Sequence, residues 1–90
     1  MQDFVVHTPD QLGPLVASFR RARHMSQAEL ARKLGTTQQA ISKLEQDPTV
    51  VSVERLMKTL AALGVELVLR DTRSIQVGSR KTASDSSVTW

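Results

Sequence analysis

The feature that most constrains the fold is a run of twenty residues, Gln27 to Gln46, that predicts two short helices joined by a tight turn. Ser26 and Glu29 have the spacing of a capping box, which starts the first helix. Gly35 can adopt the positive φ that ends a helix and redirects the chain. Thr37 is a suitable N-cap for the second helix. A chain with this pattern is restricted to two helices that cross at a steep angle.

The apolar residues of this run fit a helix-turn-helix unit. Ala31 supplies a small side chain where the two helices must touch. The residues predicted to seat both helices on a core are Leu30, Leu34, Ile41 and Leu44. Because many positions match together, the sequence predicts a unit whose second helix enters the major groove of DNA with its N-terminal residues foremost.

Two further helices are predicted beside this unit. Residues 8–11 have a capping pattern, and the apolar spacing that follows predicts a helix over roughly 9–24, which Pro14 bends or shortens at its start. Ser52 caps a last helix, and Gly64 terminates it. Its expected core positions are Val53, Leu56, Met57, Leu60 and Leu63. The predicted fold class is therefore an all-α bundle of four to five helices.

Residues 65–70 change from a helical to a β-strand pattern. A single strand leaves its backbone groups unpaired, so it must find a partner. The partner is either residues 4–6 of the same chain or the same strand of a second subunit. The second pairing would close a twofold-symmetric homodimer. The dimerisation residues would then be Val65, Leu67, Val68 and Leu69.

Charge is distributed unevenly along the chain. The total is +3, from 12 lysines and arginines against 9 acidic residues. Residues 20–43 hold six of the basic residues and one acid, so this segment carries +5 and the rest −2. A basic segment of this kind is typical of a surface that binds a polyanion, although it is also compatible with a solvated helix face.

The composition also excludes several classes of function. The chain has no cysteine and two histidines, so we expect neither a disulfide framework nor a metal centre, and no cofactor. No apolar stretch is long enough to span a membrane, and the N-terminus lacks the pattern of a secretion signal. No arrangement of catalytic residues is present, and the glutamates at 29, 45, 54 and 66 are expected at surface or capping positions. We therefore expect a cytoplasmic protein that is not an enzyme and has no small-molecule substrate.

The candidate DNA-binding residues lie on the two helices of the helix-turn-helix unit. Glutamines such as Gln38 can form paired hydrogen bonds with adenine, and Lys43 can reach guanine or a phosphate. Gln27 is placed to contact a phosphate. The full set is Gln27, Arg32, Lys33, Thr37, Gln38, Gln39, Ser42 and Lys43. Arg20, Arg21 and Arg23 are further phosphate candidates, and we expect about half of the basic candidates to contact DNA.

The run SQAELARKLGTTQQAISKLE resembles the Cro/C1-type helix-turn-helix of phage repressors. This resemblance implies DNA contacts by Gln27, Gln38 and Gln39 and a contact position at Lys43. The whole layout, with TPDQLG before the unit, ALGVELVLR after it and a polar tail ending in Trp90, is similar to antitoxins of the HipB family. That similarity implies a homodimer that represses its own operon and neutralises a HipA-like serine/threonine kinase toxin, with Trp90 docked on the toxin.

Three functions follow as hypotheses. The first is a repressor and antitoxin with a DNA-binding and dimerisation domain over 1–70 and a flexible polar tail over 71–90. In that tail a lone Trp90 has no core to enter and is suited to anchor a partner. The second is a stand-alone repressor without a toxin. The third is a protein-interaction module, against which the glutamine pair and the basic segment argue. For a dimeric repressor we expect a palindromic operator with half-sites about 10 bp apart and a nucleoid-associated protein when bound.

Overall fold

The computed structural model describes residues 2–73 and contains four α-helices in that range, in agreement with the predicted fold class. They are α1 (Leu12–Ala22), α2 (Gln27–Leu34), α3 (Gln38–Gln46) and α4 (Val53–Ala62). Short 3-10 turns at Pro9–Gln11 and Pro48–Val50 precede α1 and α4. The first helix is shorter than predicted, because its opening turn is 3-10 and His24 leaves the helix with a φ of 57°. None of the helices in this part of the chain is long and apolar enough to cross a bilayer.

The helix ends of the two-helix unit form as the sequence predicts. The Ser26 hydroxyl accepts a hydrogen bond from the Glu29 N–H at 3.0 Å, and the Glu29 carboxylate accepts one from the Ser26 N–H at 2.7 Å. Gly35 ends α2 with a φ of 70°. The Thr37 hydroxyl accepts from the Ala40 N–H at 3.1 Å and starts α3. These local bonds set the turn between α2 and α3, and so the direction in which α3 leaves it.

One small core holds the four helices together. Its buried members are Val16, Leu30, Ala31, Ile41, Leu44, Leu60 and Leu63. The expected core positions on α4 are wrong at Val53 and Met57, which are 68% and 50% exposed. The reason is the rotation of α4, which turns Thr59 fully inward. The Thr59 hydroxyl donates to the Arg55 carbonyl at 2.8 Å, so its burial leaves no unpaired polar group.

The segment after α4 does not form a strand with the N-terminus. No strand occurs within residues 2–73, and the link between the two segments is an ion pair from Arg70 to Asp3 at 2.9 Å. The apolar side chains at positions 67–69 lie exposed, Leu69 to 92%. Pairing of residues 65–70 with a second subunit therefore stays a prediction. Trp90 and the rest of the predicted tail beyond residue 73 lie outside the described residues.

Candidate nucleic-acid interface

The outward face of α3 carries the candidate base-reading residues. Ile41 and Leu44 are buried and hold the helix against the core, while Gln38, Gln39 and Lys43 are exposed on its surface. Their amide and ammonium groups are the donors and acceptors that can pair with base edges in a major groove. These residues were predicted to lie on the second helix of the helix-turn-helix unit, and in the structure all three lie on the exposed surface of α3.

A shallow cleft runs along this face of α3. It is lined by Gln39, Ser42, Lys43, Gln46, Asp47 and Val50. Within it, the Gln46 amide donates to the Ser42 hydroxyl at 3.2 Å. Gln46 is not among the residues predicted from the sequence, although its helical spacing from Gln39, Ser42 and Lys43 places it on the same face. Val50 was also missed, and its position depends on the 3-10 turn after α3.

Thr37 has a structural role that leaves it free to contact DNA. Its hydroxyl oxygen accepts the hydrogen bond from Ala40 that caps α3. A threonine hydroxyl has one proton to donate in addition to its acceptor lone pairs. The cap therefore orients the hydroxyl at the N-terminus of α3 and leaves its proton available for a phosphate or a base.

A buried ion pair joins α1 to α3, and it corrects two expectations. The Arg20 guanidinium donates to both carboxylate oxygens of Glu45, at 2.8 and 3.2 Å, and to the Met25 carbonyl at 2.8 Å. The two side chains are only 9% and 7% exposed. Arg20 is therefore not a phosphate candidate, and Glu45 is not a surface residue. Their hydrogen bond raises the pKa of Arg20 above its usual value.

The same carboxylate also binds the first residue of α2. The Gln27 side-chain amide donates to Glu45 Oε1 at 3.0 Å. Glu45 is thus a shared acceptor for side chains from α1 and α2, while its own backbone belongs to α3. Because a bidentate arginine pair has a narrow range of geometries, this contact restricts how the three helices sit relative to one another.

The remaining basic candidates differ in whether their charged groups contact other groups of the protein. Arg21, Arg32 and Lys33 are exposed, the last two in the final turn of α2 just before the connection to α3. Arg23 is exposed but engaged, because its guanidinium donates to the Phe19 carbonyl at 2.9 Å and lies 5.8 Å from the Phe19 ring centroid. Arg23 is therefore less available for a phosphate contact than Arg21, Arg32 and Lys33.

Comparison with known proteins places this surface in a family context. The family described as helix-turn-helix matches residues 16–69, which include all of α2, α3 and α4. The chain is 28% identical over 85 residues to "Antitoxin HipB" of Escherichia coli O6:H1, covering 94% of this chain and 87% of the relative. It is 29% identical over 69 residues to "Antitoxin HipB" of Escherichia coli K12, covering 77% and 78%.

Solved structures of similar chains agree with this result. A complex of a HipB variant with an O2 20-mer matches with a TM-score of 0.73 at 29% identity, covering 80% of this chain and 100% of that one. A HipA–HipB–O2–O3 complex matches with a TM-score of 0.72 at 30% identity, covering 79% and 100%. The fold is therefore shared with HipB chains over about four-fifths of this chain.

Proposed function

Because the chain belongs to the helix-turn-helix family, we propose that it is a sequence-specific DNA-binding repressor and the antitoxin of a HipBA-type pair. The observation that carries the DNA-binding part is the geometry of α3. Its inner face is seated on the core by Ile41 and Leu44, and its outer face exposes Gln38, Gln39 and Lys43. The HipB complexes with an O2 20-mer and with O1–O2 among its structural neighbours support the same function.

The proposed mechanism separates base contacts from phosphate contacts. Gln38 and Gln39 read adenine edges in the major groove, and Lys43 binds a guanine or a phosphate. Thr37 and Ser42 contribute hydroxyl contacts beside them. Gln27, Arg32 and Lys33 contact phosphates, which fix the protein on the duplex without reading its sequence. Selection of bound duplexes from a random-sequence library tests this function, and a palindromic consensus with half-sites about 10 bp apart is the expected result.

Two substitutions distinguish a base contact from a phosphate contact. Gln38→Ala is expected to weaken binding to the selected operator by about 1–3 kcal/mol and to relax one base position. Arg32→Ala is expected to weaken operator and random DNA alike and to reduce the salt slope by about 1. Titrations on both duplexes at several salt concentrations measure these effects. Equal losses on operator and random DNA for the Gln38 variant would contradict base reading.

We further propose that the operator is bound by a homodimer, paired through residues 65–70. The support is the exposure of three consecutive apolar side chains, Leu67, Val68 and Leu69. A single folded chain seldom leaves such a run exposed to water. Pairing about a twofold axis would bury this run in both subunits. In this proposal residues 1–70 form the DNA-binding and dimerisation domain, and residues 71–90 form a separate tail.

Leu69→Asp is expected to raise the dimer dissociation constant at least about 100-fold. Each dimer loses two buried leucines, worth roughly 1.5–3 kcal/mol apiece, and gains two facing charges. Sedimentation equilibrium measures the constant. Thr72→Asp adds the same charge at an exposed position three residues further on and is the matched control. Unchanged association of the Leu69 variant, or an equal loss in the control, would contradict pairing through this segment.

The antitoxin part of the proposal rests on the relatives named HipB and on the neighbouring structure of a HipA–HipB complex. We propose that the chain represses its own operon and neutralises a HipA-like serine/threonine kinase, that Trp90 contacts this toxin, and that the protein acts at the nucleoid. A toxin contact outside the DNA-binding surface would let the chain hold both partners at once.

Truncation tests the toxin contact. The full chain is expected to retain a HipA-like kinase, identified by mass spectrometry, from a lysate of its native host. A chain stopped after Asp71 and the Trp90→Ala variant are expected to lose most of that retention while still binding the selected operator. If the full chain binds its operator but retains no kinase, it is a stand-alone repressor.

A further inference from the structure

Gln27 is held by a buried partner although its proposed role is at the protein surface. Its amide nitrogen donates to Glu45 Oε1 at 3.0 Å, and the residue as a whole is half-buried. The Glu45 carboxylate that accepts this bond is 7% exposed and is fixed by Arg20. A glutamine that served only as a solvated surface residue would have no need of such a partner.

We propose that Glu45 is a positioning residue for the phosphate contact of Gln27, a proposal that rests on the DNA-binding function given above. A glutamine amide has two N–H groups. With one N–H committed to Glu45, the amide is held in one orientation, and its second N–H can donate to a phosphate oxygen. The side chain is thereby ordered before DNA arrives, which removes part of the entropy loss of binding.

The charge balance of the cluster permits an anion to approach. A lone carboxylate beside Gln27 would repel a phosphate, but Arg20 donates to both oxygens of Glu45 and neutralises its charge. The Gln27 amide then lies between a compensated carboxylate and the solvent. This arrangement gives the Arg20–Glu45 pair a role beyond stability, because it fixes the amide without adding net charge to the DNA-binding surface.

The test removes the buried pair as a unit. In Arg20→Met/Glu45→Met both charges are replaced by apolar side chains, an exchange that proteins often tolerate without loss of stability. We expect this variant to bind operator and random DNA about three- to tenfold more weakly, with the specificity ratio and the salt slope unchanged. A variant whose α3 had merely become loose would misread bases and lose specificity.

Three comparisons complete the design. Gln27→Ala is expected to lower affinity about tenfold in the wild-type background but threefold or less in the double variant. Glu45→Gln keeps a carbonyl that accepts a hydrogen bond from Gln27. It should therefore recover most of the DNA affinity that Arg20→Met/Glu45→Met loses. Glu54→Met/Lys58→Met removes an exposed ion pair of the same net charge on α4 and should have no effect. Equal losses from Gln27→Ala in both backgrounds would overturn the proposal.

A second measurement uses the natural chain and does not depend on the stability of the Glu45 variants. Operator duplexes carry one neutral methylphosphonate linkage in each half-site, moved along the backbone. At one position the methylphosphonate should weaken DNA binding by the wild-type protein about tenfold and DNA binding by the Gln27→Ala variant less than twofold. If no position distinguishes the two proteins, Gln27 has no phosphate contact and the inference is overturned. If the wild-type chain selects no operator, the proposed function itself fails.

Discussion

Replacing Arg20 alone by methionine is expected to lower the free energy of unfolding by about 3–5 kcal/mol. The substitution leaves the Glu45 carboxylate buried at 7% exposure without its counter-ion, and it removes the donor to the Met25 carbonyl. A domain of this size has only about 5–15 kcal/mol of stability in total. Urea unfolding followed by far-ultraviolet circular dichroism, at one fixed protein concentration, measures the loss.

The neighbouring arginine supplies the control. Arg21 is exposed, so Arg21→Met should change the free energy of unfolding by no more than about 0.5 kcal/mol. The double variant Arg20→Met/Glu45→Met should recover most of the loss, because no unpaired charge then remains inside the protein. A loss below about 1 kcal/mol for Arg20→Met would mean that water or another group already solvates the Glu45 carboxylate.

Features that depend on a few neighbouring residues could be predicted from the sequence. The caps at Ser26, Thr37 and Ser52 need only an acceptor oxygen and a free N–H two or three residues further on. The positive φ of Gly35 and of Gly64 follows from the absence of a side chain at a helix end. These positions determine where α2, α3 and α4 begin or end, so the helix-turn-helix unit was predictable in detail.

Features that depend on packing between distant segments could not be predicted in this way. Arg20 and Glu45 are 25 residues apart, and each taken alone has the pattern of an ordinary surface charge on a helix. Their pairing appears only when α1 is laid against α3. The same limit applies to Gln27, whose link to Glu45 spans 18 residues, and it explains why the positioning of this candidate phosphate contact was missed.

The incorrect prediction of core positions on α4 has a related cause. Hydrophobic periodicity identifies an apolar stripe but does not say how far the stripe turns toward the core. Val53 and Met57 belong to the stripe and are exposed, while Thr59 occupies the inward position. A threonine is tolerated there because its hydroxyl bonds to the Arg55 carbonyl of the preceding turn.

Gly13→Ala is expected to destabilise the fold by about 2–3 kcal/mol, which lowers the melting temperature by roughly 10–20 °C. In an exposed helix interior the same substitution would stabilise by about 0.5–1 kcal/mol. The difference comes from the contact between α1 and α3, because a Cβ at position 13 would lie 2.1 Å from the Glu45 carbonyl oxygen. The Glu45 carbonyl is a backbone group and the Cβ is fixed by the backbone of α1, so neither can turn aside and the helices must separate by roughly 1 Å. Thermal unfolding at one protein concentration measures the change.

Two other substitutions separate this steric effect from helix propensity and backbone conformation. Ser18→Ala lies on the exposed side of the same helix and should be neutral or slightly stabilising. Gly64→Ala meets no atom within 4 Å but has a φ of +74°, so it should cost only about 1 kcal/mol. Gly64→Asn should relieve part of that cost, whereas Gly13→Asn should be worse than Gly13→Ala. Because Glu45 also holds Gln27, Gly13→Ala should weaken DNA binding even where the protein remains folded. If the variant kept both its full stability and its full affinity for DNA, the close approach of α1 to α3 would be contradicted.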